Sequence, residues 1–317
     1  MQFVLPPATV RGPQQVPLRW EDAGCPNCAS RHNSPLLEAQ DWMSGDEGLW
    51  FAVVQCDSCG TCFTNPRPDP ASIGQFYPPS YTPYRERRRR RPLLGWRPWP
   101  RLKKPRVEKR PLPWHGRGRL LDFGCGNGSY LVEMQKRGWD VTGLDVSREM
   151  IDRIRDELGI RAYVGTLPHL ELEPESFDVI TMWHSLEHVH EPAPLLREAR
   201  RLLAPGGKIV IAVPNIDSLP FRWFGKDWFG LELPRHLTHF TPSSLLQMLQ
   251  RCGFATEPIR FIRHAKWLRT SAERVCSRGG PTPWWVRLLR YRLPAAAVTW
   301  YSWFTQQTDC LLAVGHR

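Results

Sequence analysis

A glycine-rich turn between a predicted strand and a predicted helix constrains the fold of this chain more than any other feature. The stretch Leu120–Gly128 reads LLDFGCGNG, in which three glycines alternate with other residues. Glycine allows a backbone to turn sharply and to approach a ligand closely. The apolar residues at 119–123 predict a strand, and residues 129–137 predict a helix that Gly138 ends. The sequence therefore predicts a strand–turn–helix unit of an α/β fold.

The residues beyond this turn continue the alternation of strands and helices. Ser147 predicts the N-cap of a helix that ends at Gly159, and Thr241 followed by Pro242 predicts another helix start. Apolar strands that alternate with helices predict a parallel sheet covered by helices on both faces. The further predicted strands are 140–144, 161–164, 177–182, 208–213, 254–261 and 309–314.

An acidic residue follows the second predicted strand. Asp145 lies 21 residues after Gly124, and a carboxylate at this place can accept hydrogen bonds from both hydroxyls of a ribose. A dinucleotide-binding fingerprint counted from Gly124 would need glycine at the position of Ser129, so a pyrophosphate ligand is disfavoured. The turn and the acid together predict a nucleoside without a phosphate chain, bound at the carboxyl edge of the sheet.

These motifs resemble those of the class I S-adenosylmethionine-dependent methyltransferases. Residues 121–128 are similar to the first motif of that family, and Leu144–Ser147 to the second. Residues 176–189 are similar to its fourth strand and the following loop, and residues 203–207 to the approach to its fifth strand. The resemblance implies a Rossmann-like sheet of seven strands with an antiparallel last strand, and it implies S-adenosylmethionine as the cofactor.

The same resemblance implies a set of cofactor-binding residues in the glycine turn and after the next strands. Many relatives carry an acid after the third strand that binds the adenine amino group, whereas Val164–Leu167 offers none. We therefore expect backbone groups and apolar packing to hold the adenine. The expected set is Asp122, Gly124, Cys125, Gly126, Asn127, Gly128, Asp145, Val146, Leu167 and Trp183.

Two C-x-x-C pairs, separated by 27 residues, precede the glycine turn. Four thiolates from two such turns make a tetrahedral structural zinc site, and a redox pair is the alternative. We predict a small zinc ribbon over residues 21–68, with Cys62 left over because the two tight turns favour the other four. The predicted ligands are Cys25, Cys28, Cys56 and Cys59.

The residues after the second pair also resemble a known group. Asn65–Pro68 and Phe76–Tyr81 are similar to a bacterial methyltransferase subgroup with an N-terminal zinc ribbon. Members of this subgroup often act on sugars or glycan precursors, so the resemblance implies such an acceptor.

Histidines cluster after the fourth and fifth predicted strands. Methyl transfer to a hydroxyl requires removal of a proton, and histidine suits this task near neutral pH. We predict His188, His236 and His239 as catalytic residues, with a structural hydrogen bond in the loop as the alternative for His188. We expect His184 beside the cofactor pocket and His190 as a solvated loop residue. Three aromatic side chains are expected to wall the acceptor pocket, namely Trp223, Trp228 and Phe229.

The positive charge of the chain is concentrated in one segment. The 317 residues carry a net charge of +12, and residues 85–119 alone contain 15 Lys or Arg and 2 acids. This segment is expected to bind nucleic acid, anionic lipid or a polyphosphate-linked substrate, or else to be a solvated linker.

No apolar run reaches the ~20 residues of a membrane-spanning helix, and residues 1–13 lack a signal-peptide pattern. We expect a cytoplasmic protein, with a peripheral place at the inner membrane face as a variant.

The chain divides into four predicted segments. They are a Pro-rich tail (1–20), the zinc ribbon (21–68), a Pro- and Arg-rich linker (69–115) and a methyltransferase domain (116–317). Residues 264–306 of that domain mix Trp and Tyr with Arg, which suits a membrane interface or a partner surface. The alternative is a helical lid packed on the core.

The favoured function is S-adenosylmethionine-dependent methyl transfer to a small or lipid-linked acceptor such as a saccharide or glycan precursor. One alternative is an RNA methyltransferase that holds its substrate with the basic linker and the zinc ribbon. The other is a cofactor-binding adaptor without activity, in which the ribbon and the 264–306 insertion dock partners.

Overall fold

A computed structural model describes residues 17–43, 48–77 and 112–317 of the chain. The predicted tail and the basic linker fall largely at 1–16 and 78–111, outside the described residues. The N-terminal module comprises the described residues up to Tyr77. Its strands are β1 (Trp20–Glu21), β2 (Asn33–Gln40), β3 (Trp50–Cys56), β4 (Cys62–Thr64) and β5 (Arg67–Pro68).

A larger sheet forms the rest of the fold. The strands after residue 112 are β6 (Arg119–Phe123), β7 (Asp140–Asp145), β8 (Arg161–Val164), β9 (Phe177–Trp183), β10 (Leu203–Pro214), β11 (Thr238–His239), β12 (Ala255–Thr256), β13 (Arg260–Ile262) and β14 (Cys310–His316). All but β11 form one eight-stranded sheet, in the order β12-β14-β10-β9-β6-β7-β8 with β13 also paired to β14. Strands β6, β7, β8, β9 and β10 run parallel, and β14 is antiparallel to β10.

Helices cover both faces of this sheet. They are α1 (Ser129–Gln135), α2 (Arg148–Leu158), α3 (Pro192–Leu202), α4 (Leu219–Phe224), α5 (Pro242–Arg251), α6 (Ala265–Ser277), α7 (Trp284–Leu289) and α8 (Arg292–Phe304). The predicted helix signals are observed: the Ser147 side chain accepts a hydrogen bond from Met150 N, Gly159 adopts a left-handed φ of 61°, and Thr241 forms a capping box. The Rossmann-like α/β prediction is therefore confirmed.

One predicted strand is wrong as a single element. The stretch 254–261 is observed as β12 and β13, and the interruption contains Pro258, which has no N–H to donate to a ladder. Both short strands pair with β14, so the sheet has eight strands instead of the expected seven.

Alternation along the central strands builds two core layers. Successive side chains of a strand point to opposite faces of the sheet, and here both faces are apolar. One layer contains Leu121, Ile180 and Ile211 and extends to α3 and α5. The other layer contains their neighbours Leu120, Val179 and Val210 and extends to α1 and α2.

The N-terminal module shares a sheet with the rest of the chain. Strand β11 pairs antiparallel with β4, with Thr238 opposite Phe63 and His239 opposite Cys62. The small sheet therefore has the order β11-β4-β3-β2, and one of its four strands comes from residues beyond the large sheet's β10. Residues 21–68 and 116–317 are predicted as separate segments, and this pairing joins them.

The aromatic insertion at 264–306 forms three helices, α6, α7 and α8, which we call the aromatic cap. Its inner side packs with the N-terminal module in a third apolar cluster that includes Phe51, Trp228, Leu268 and Val286. Among the described residues, none of the helices combines the length and the apolar character needed to cross a bilayer.

Candidate functional site

The glycine turn connects β6 to α1 at the carboxyl edge of the large sheet. Gly124 and Gly128 have φ values of 71° and 70°, in the left-handed region that L side chains rarely adopt. A Cβ on Gly124 would lie 2.5 Å from the Ser185 Cβ, and one on Gly128 would lie 2.8 Å from the Ile154 Cγ1. Both the backbone conformation and the available space therefore require glycine at these two positions.

Asp145 ends β7 and faces this turn. Its Oδ2 accepts a hydrogen bond from Gly126 N at 2.8 Å, and its Oδ1 accepts one from Ser147 N at 2.9 Å. The residue is only 6% exposed, so its carboxylate lies at the turn and not in bulk solvent. A carboxylate oxygen can accept a second hydrogen bond, so both oxygens remain competent to accept from ribose hydroxyls. These two acceptor oxygens fit the hydroxyls of a nucleoside cofactor.

Two other residues of the expected cofactor set lie near the surface beside the turn. The Val146 side chain is 68% exposed directly after Asp145, which suits apolar contact with a flat ring. The Asn127 Oδ1 accepts a hydrogen bond from Ser129 N at 3.2 Å and thereby fixes the start of α1.

Four residues of the expected set are buried beneath the turn. Asp122 is fully buried and accepts a hydrogen bond from Thr181 Oγ1 at 2.7 Å. Cys125, Leu167 and Trp183 also belong to the core. These four side chains are buried at the turn and the neighbouring strand ends, and their role in cofactor binding stays a prediction.

The loop after β9 lies against the glycine turn. Ser185 Oγ donates a hydrogen bond to Phe123 O at 3.0 Å, which ties the loop to the end of β6. A short 3-10 helix, Leu186–His188, follows and brings His188 to the same edge of the sheet. Side chains of this loop are therefore next to the proposed cofactor cleft.

His188 stands where three segments of the chain meet. Its Nδ1 lies 3.0 Å from the carbonyl oxygen of Arg235 and 3.0 Å from the hydroxyl of Tyr77 in the N-terminal module. A carbonyl oxygen only accepts hydrogen bonds, so it favours a proton on Nδ1 and leaves the lone pair on Nε2. The His236 ring centre is 4.7 Å away. The sequence predicts no role for Tyr77, which belongs to a segment that only resembles a methyltransferase subgroup.

His236 and His239 lie deeper than the sequence suggests. His236 Nδ1 is 2.9 Å from Gly230 O, and His239 Nε2 is 3.0 Å from Thr64 Oγ1 of β4. Burial lowers the pKa of His239 to about 3 and, together with the neighbouring histidines, lowers the pKa of His236 well below its usual range. Both rings are therefore neutral and act first as packing and hydrogen-bonding groups.

Two of the three residues expected to wall the acceptor pocket, Trp223 and Trp228, lie elsewhere. Trp228 is fully buried and donates its indole N–H to Asp309 Oδ1 at 2.9 Å. Trp223 is instead exposed on α4, where its ring contacts Trp285 of the aromatic cap. The expectation that His190 is solvated is also wrong, because its Nε2 lies 3.0 Å from Pro68 O of the N-terminal module.

The buried histidines predict loss of stability in acid. Unfolded His236 and His239 take up protons below their ordinary pKa of about 6.5, whereas the folded rings do not, so stability falls as the pH drops below that value. Each ring contributes a slope of about 1.4 kcal/mol per pH unit, and Asp309, whose pKa burial raises to about 6, opposes this slope between about pH 6 and 4. Urea unfolding of His239→Gln should show a shallower decline with falling pH. The exposed His32→Gln is the control, and an unchanged slope in His239→Gln would contradict this account.

A second group of side chains gathers at the same edge from distant parts of the sequence. His184, His264 and Cys310 place their ring nitrogens and sulfur within 4.8 Å of one another, and Trp267 stacks on His264 at 4.5 Å. His184 Nδ1 also lies 3.4 Å from Glu187 Oε1. Burial lowers the pKa of His184, but the interactions with Cys310 and Glu187 together have a larger effect and raise this pKa well above its usual range. No spacing in the sequence links these residues, because β14 returns to the edge after the whole aromatic cap.

The four predicted metal ligands come together in the N-terminal module. The Sγ atoms of Cys25, Cys28, Cys56 and Cys59 all lie within 4.8 Å of one another, with Cys25–Cys59 and Cys28–Cys56 at 3.5 Å. Sulfurs about 3.5–4 Å apart suit a tetrahedral ion with Zn–S bonds of about 2.3 Å. Cys62 lies outside this group in β4 and is buried. The donor set therefore fits structural zinc.

The chain is similar in sequence to known methyltransferases. Residues 84–259, more than half of the chain, match a family model described as a methyltransferase domain. A ubiquinone biosynthesis O-methyltransferase of Aliivibrio fischeri is 34% identical over 145 residues, which cover 42% of this chain and 62% of that protein. One from Xanthomonas euvesicatoria is 30% identical over 161 residues, which cover 47% of this chain and 67% of that protein. This chain thus matches less than two thirds of the length of the Aliivibrio relative.

Solved structures of low sequence identity also match part of the chain. An S-adenosylmethionine-dependent methyltransferase from Mesorhizobium loti is 24% identical, with a TM-score of 0.45, over 65% of this chain and 94% of that one.

Proposed function

Because the chain belongs to the methyltransferase domain family, we propose that it transfers a methyl group from S-adenosylmethionine to a hydroxyl of a small or lipid-linked acceptor. The glycine turn with Asp145 is the observation that carries this proposal. When bound, the cofactor supplies an electrophilic methyl group on a sulfonium that needs no further activation. The task of the protein is then to hold and orient the two reactants and to remove a proton from the acceptor.

The cofactor proposal assigns the ribose to Asp145 and the main chain to the glycine turn. Val146 would contact the adenine, and Asn127 would hold the first turn of α1 against the cofactor. The buried residues Asp122, Cys125, Leu167 and Trp183 would act by supporting these groups. Apolar contact in place of an acid after β8 agrees with the exposed position of Val146.

Replacement of Asp145 should weaken cofactor binding strongly. Asp145→Asn removes the charge that accepts from two ribose hydroxyls, and loss of two charged hydrogen bonds lowers affinity by about 100-fold or more. Isothermal titration calorimetry with S-adenosylmethionine measures this change. Asp140→Asn, an exposed acid at the start of the same strand, is the control. An affinity of the Asp145 variant within a few-fold of wild type would contradict the assignment.

We assign proton removal to His188. It is the half-buried member of the three predicted catalytic histidines, and its Nδ1 contact with the Arg235 carbonyl leaves Nε2 free to take up a proton. His236 would orient the His188 ring, and His239 would hold Thr64 of β4. Burial keeps both rings neutral in these roles.

His188→Gln should lower the rate of methyl transfer and leave cofactor affinity unchanged. General base catalysis contributes about 100- to 10,000-fold, so a loss of this order is expected in kcat. His190→Gln on the same loop is the control, and a wild-type kcat in His188→Gln would exclude His188 as the base.

Two observations support the acceptor class. The relatives are named for O-methylation in ubiquinone biosynthesis, which supports oxygen as the methylated atom. The aromatic cap begins at the same edge as the cleft, since Trp267 of α6 lies 5.3 Å from the His184 ring, and its exposed aromatic side chains suit an amphiphilic acceptor.

A radiolabelled methyl-transfer assay tests the acceptor. Lipid-linked saccharides and prenylated phenols form its two arms, because a saccharide or glycan hydroxyl is the acceptor expected from the sequence, and a short RNA serves as a third substrate. Incorporation into either lipid-linked class supports the proposal. Cofactor binding with incorporation into RNA alone would overturn it.

We further propose that the four-cysteine group holds one structural zinc ion. Four thiolate ligands complete the tetrahedron and leave no position for a substrate, so the ion would stabilise the N-terminal module and take no part in methyl transfer. This module supplies Tyr77 to His188 and Thr64 to His239, so the ion would support the acceptor side of the site indirectly.

A further inference from the structure

The aromatic cap has an inner face that is fully used in packing. Leu268, Ala272, Val286, Leu289 and Ala295 are buried in the cluster shared with the N-terminal module. The cap is therefore a fixed part of the fold, as expected for a packed helical lid, and its outer face has a defined shape.

The outer face is unusually apolar. Of the fifteen large apolar side chains exposed in the described part of the chain, nine lie on the cap or on the adjoining α4. Leu293 is 85% exposed, and Trp284 and Phe304 are each 73% exposed. The nine are Trp223, Trp284, Leu288, Tyr291, Leu293, Trp300, Tyr301, Trp303 and Phe304. A concentration of exposed apolar side chains in one region marks an interaction surface, whereas singly scattered ones do not.

A groove runs into this face between α4, α7 and α8. Its volume is about 410 Å³, and its lining contains only apolar and aromatic side chains. The lining residues are Trp223, Trp285, Leu288, Leu289, Pro294 and Val298. Such a groove accommodates hydrocarbon better than a polar ligand, which would lose its hydrogen bonds there.

The charge around the patch is strongly positive. Residues 263–304 contain eight Lys or Arg and one acid. Arg287, Arg290 and Arg292 are exposed among the apolar side chains and have no ion-pair partner in the described part of the chain. The Arg263 guanidinium lies 3.4 Å from the Trp300 ring centre, an arrangement that keeps a cation at the level of the aromatic rings.

We propose that the outer face of the aromatic cap docks on an anionic lipid bilayer surface. Tryptophan and tyrosine prefer the boundary between headgroups and hydrocarbon, and flanking arginines pair with anionic headgroups. A second copy of this chain is a poorer occupant, because a two-fold interface would bring the unpaired arginines of both copies onto the same apolar surface. The proposal does not depend on methyl transfer, although it gives a lipid-linked acceptor a route to the site.

The aromatic cap begins beside the proposed cofactor cleft, so a bilayer bound to the cap would lie close to that cleft. Helix α6 starts directly after His264, whose ring stacks on Trp267 at the edge that carries His184. Arg263, which contacts the exposed Trp300 of α8, is the residue before His264. Docking of the cap therefore brings the carboxyl edge of the large sheet close to the lipid headgroups.

Vesicle flotation with the full-length protein tests the proposal. We expect binding to vesicles that contain phosphatidylglycerol and much weaker binding to pure phosphatidylcholine. The variant Trp284→Ser/Leu293→Ser should bind at least ten-fold more weakly, and Arg287→Gln/Arg290→Gln/Arg292→Gln about 100-fold more weakly, at roughly five-fold per surface arginine. All five side chains are exposed, so circular dichroism should show an unchanged fold.

Matched controls separate the cap from the rest of the surface. Leu170→Ser and Arg161→Gln change exposed residues away from the cap and should bind like wild type. Replacement of Arg87–Arg91 by glutamine measures how much the basic segment contributes to vesicle binding. The proposal is overturned if wild type ignores anionic vesicles, if both cap variants float like wild type, or if only the Arg87–Arg91 change abolishes binding. Dimerisation of wild type in the absence of lipid, abolished by Trp284→Ser/Leu293→Ser, would assign the face to a second copy.

Discussion

Replacement of Cys28 by alanine is expected to abolish zinc binding and to unfold the N-terminal module at physiological temperature. Structural zinc contributes about 10–16 kcal/mol of apparent binding free energy near pH 7, far more than such a small sheet gains from its own core. Elemental analysis should find one zinc per wild-type chain and none in the variant, and differential scanning fluorimetry should show a large fall in Tm.

Cys62→Ala is the matched control for this prediction. Its thiol lies only a few residues from Cys59 in the sequence but stands outside the four-sulfur group. The control should keep its zinc and lose only the stability of a small buried contact. Zinc-free wild-type protein with an unchanged Tm, or loss of zinc in Cys62→Ala, would contradict the assignment of the ligands.

Asp41→Asn is expected to lower the free energy of unfolding by about 3 kcal/mol, because it removes the bidentate partner of a buried cation and leaves only the longer 3.4 Å ion pair with Glu232. Arg235 and Asp41 form a bidentate pair with Nη–Oδ distances of 2.7 and 3.0 Å, and both side chains are 1% exposed. Arg235 Nη1 also donates to Phe76 O at 2.8 Å. The pair thus joins the loop before β11 to two parts of the N-terminal module, and urea unfolding measures its loss.

An exposed ion pair provides the comparison. Asp217 and Arg222 approach to 2.7 Å, but both side chains are more than half exposed. Asp217→Asn should therefore change the unfolding free energy by about 1 kcal/mol or less. The double variant Asp41→Leu/Arg235→Met should recover much of the lost stability, since it removes both buried charges together. Equal effects of Asp41→Asn and Asp217→Asn would show that the buried pair has no special role.

The parts of the fold that sequence predicts well are those fixed by neighbouring residues. The strand–turn–helix unit around Gly124 and the helix from Ser147 to Gly159 depend on glycine conformation and capping, which are local properties. The four-sulfur group is likewise indicated by two short turns. In each case the residues that form the feature are adjacent in the chain, or they carry a spacing that identifies them.

The parts that sequence misses depend on contacts between distant residues. His239 reads as an acceptor-side base because it follows a strand, but β11 pairs with β4 and buries it against Thr64. Cys310 and His264 meet His184 only because β14 returns antiparallel to the same edge. Asp41 has no motif, and its pairing with Arg235 spans 194 residues.

The pairing of β11 with β4 has a consequence for how this chain can be divided. A fragment that starts at residue 112 would retain the whole large sheet, yet it would leave the edge of β11 unpaired, remove the bidentate Asp41 partner of Arg235 and remove the hydroxyl beside His188. Such a fragment would carry an intact cofactor cleft and a damaged acceptor side. The N-terminal module therefore cannot be removed without damage to the rest of the fold. Recombination with other methyltransferases would have to exchange this module and residues 112–317 together.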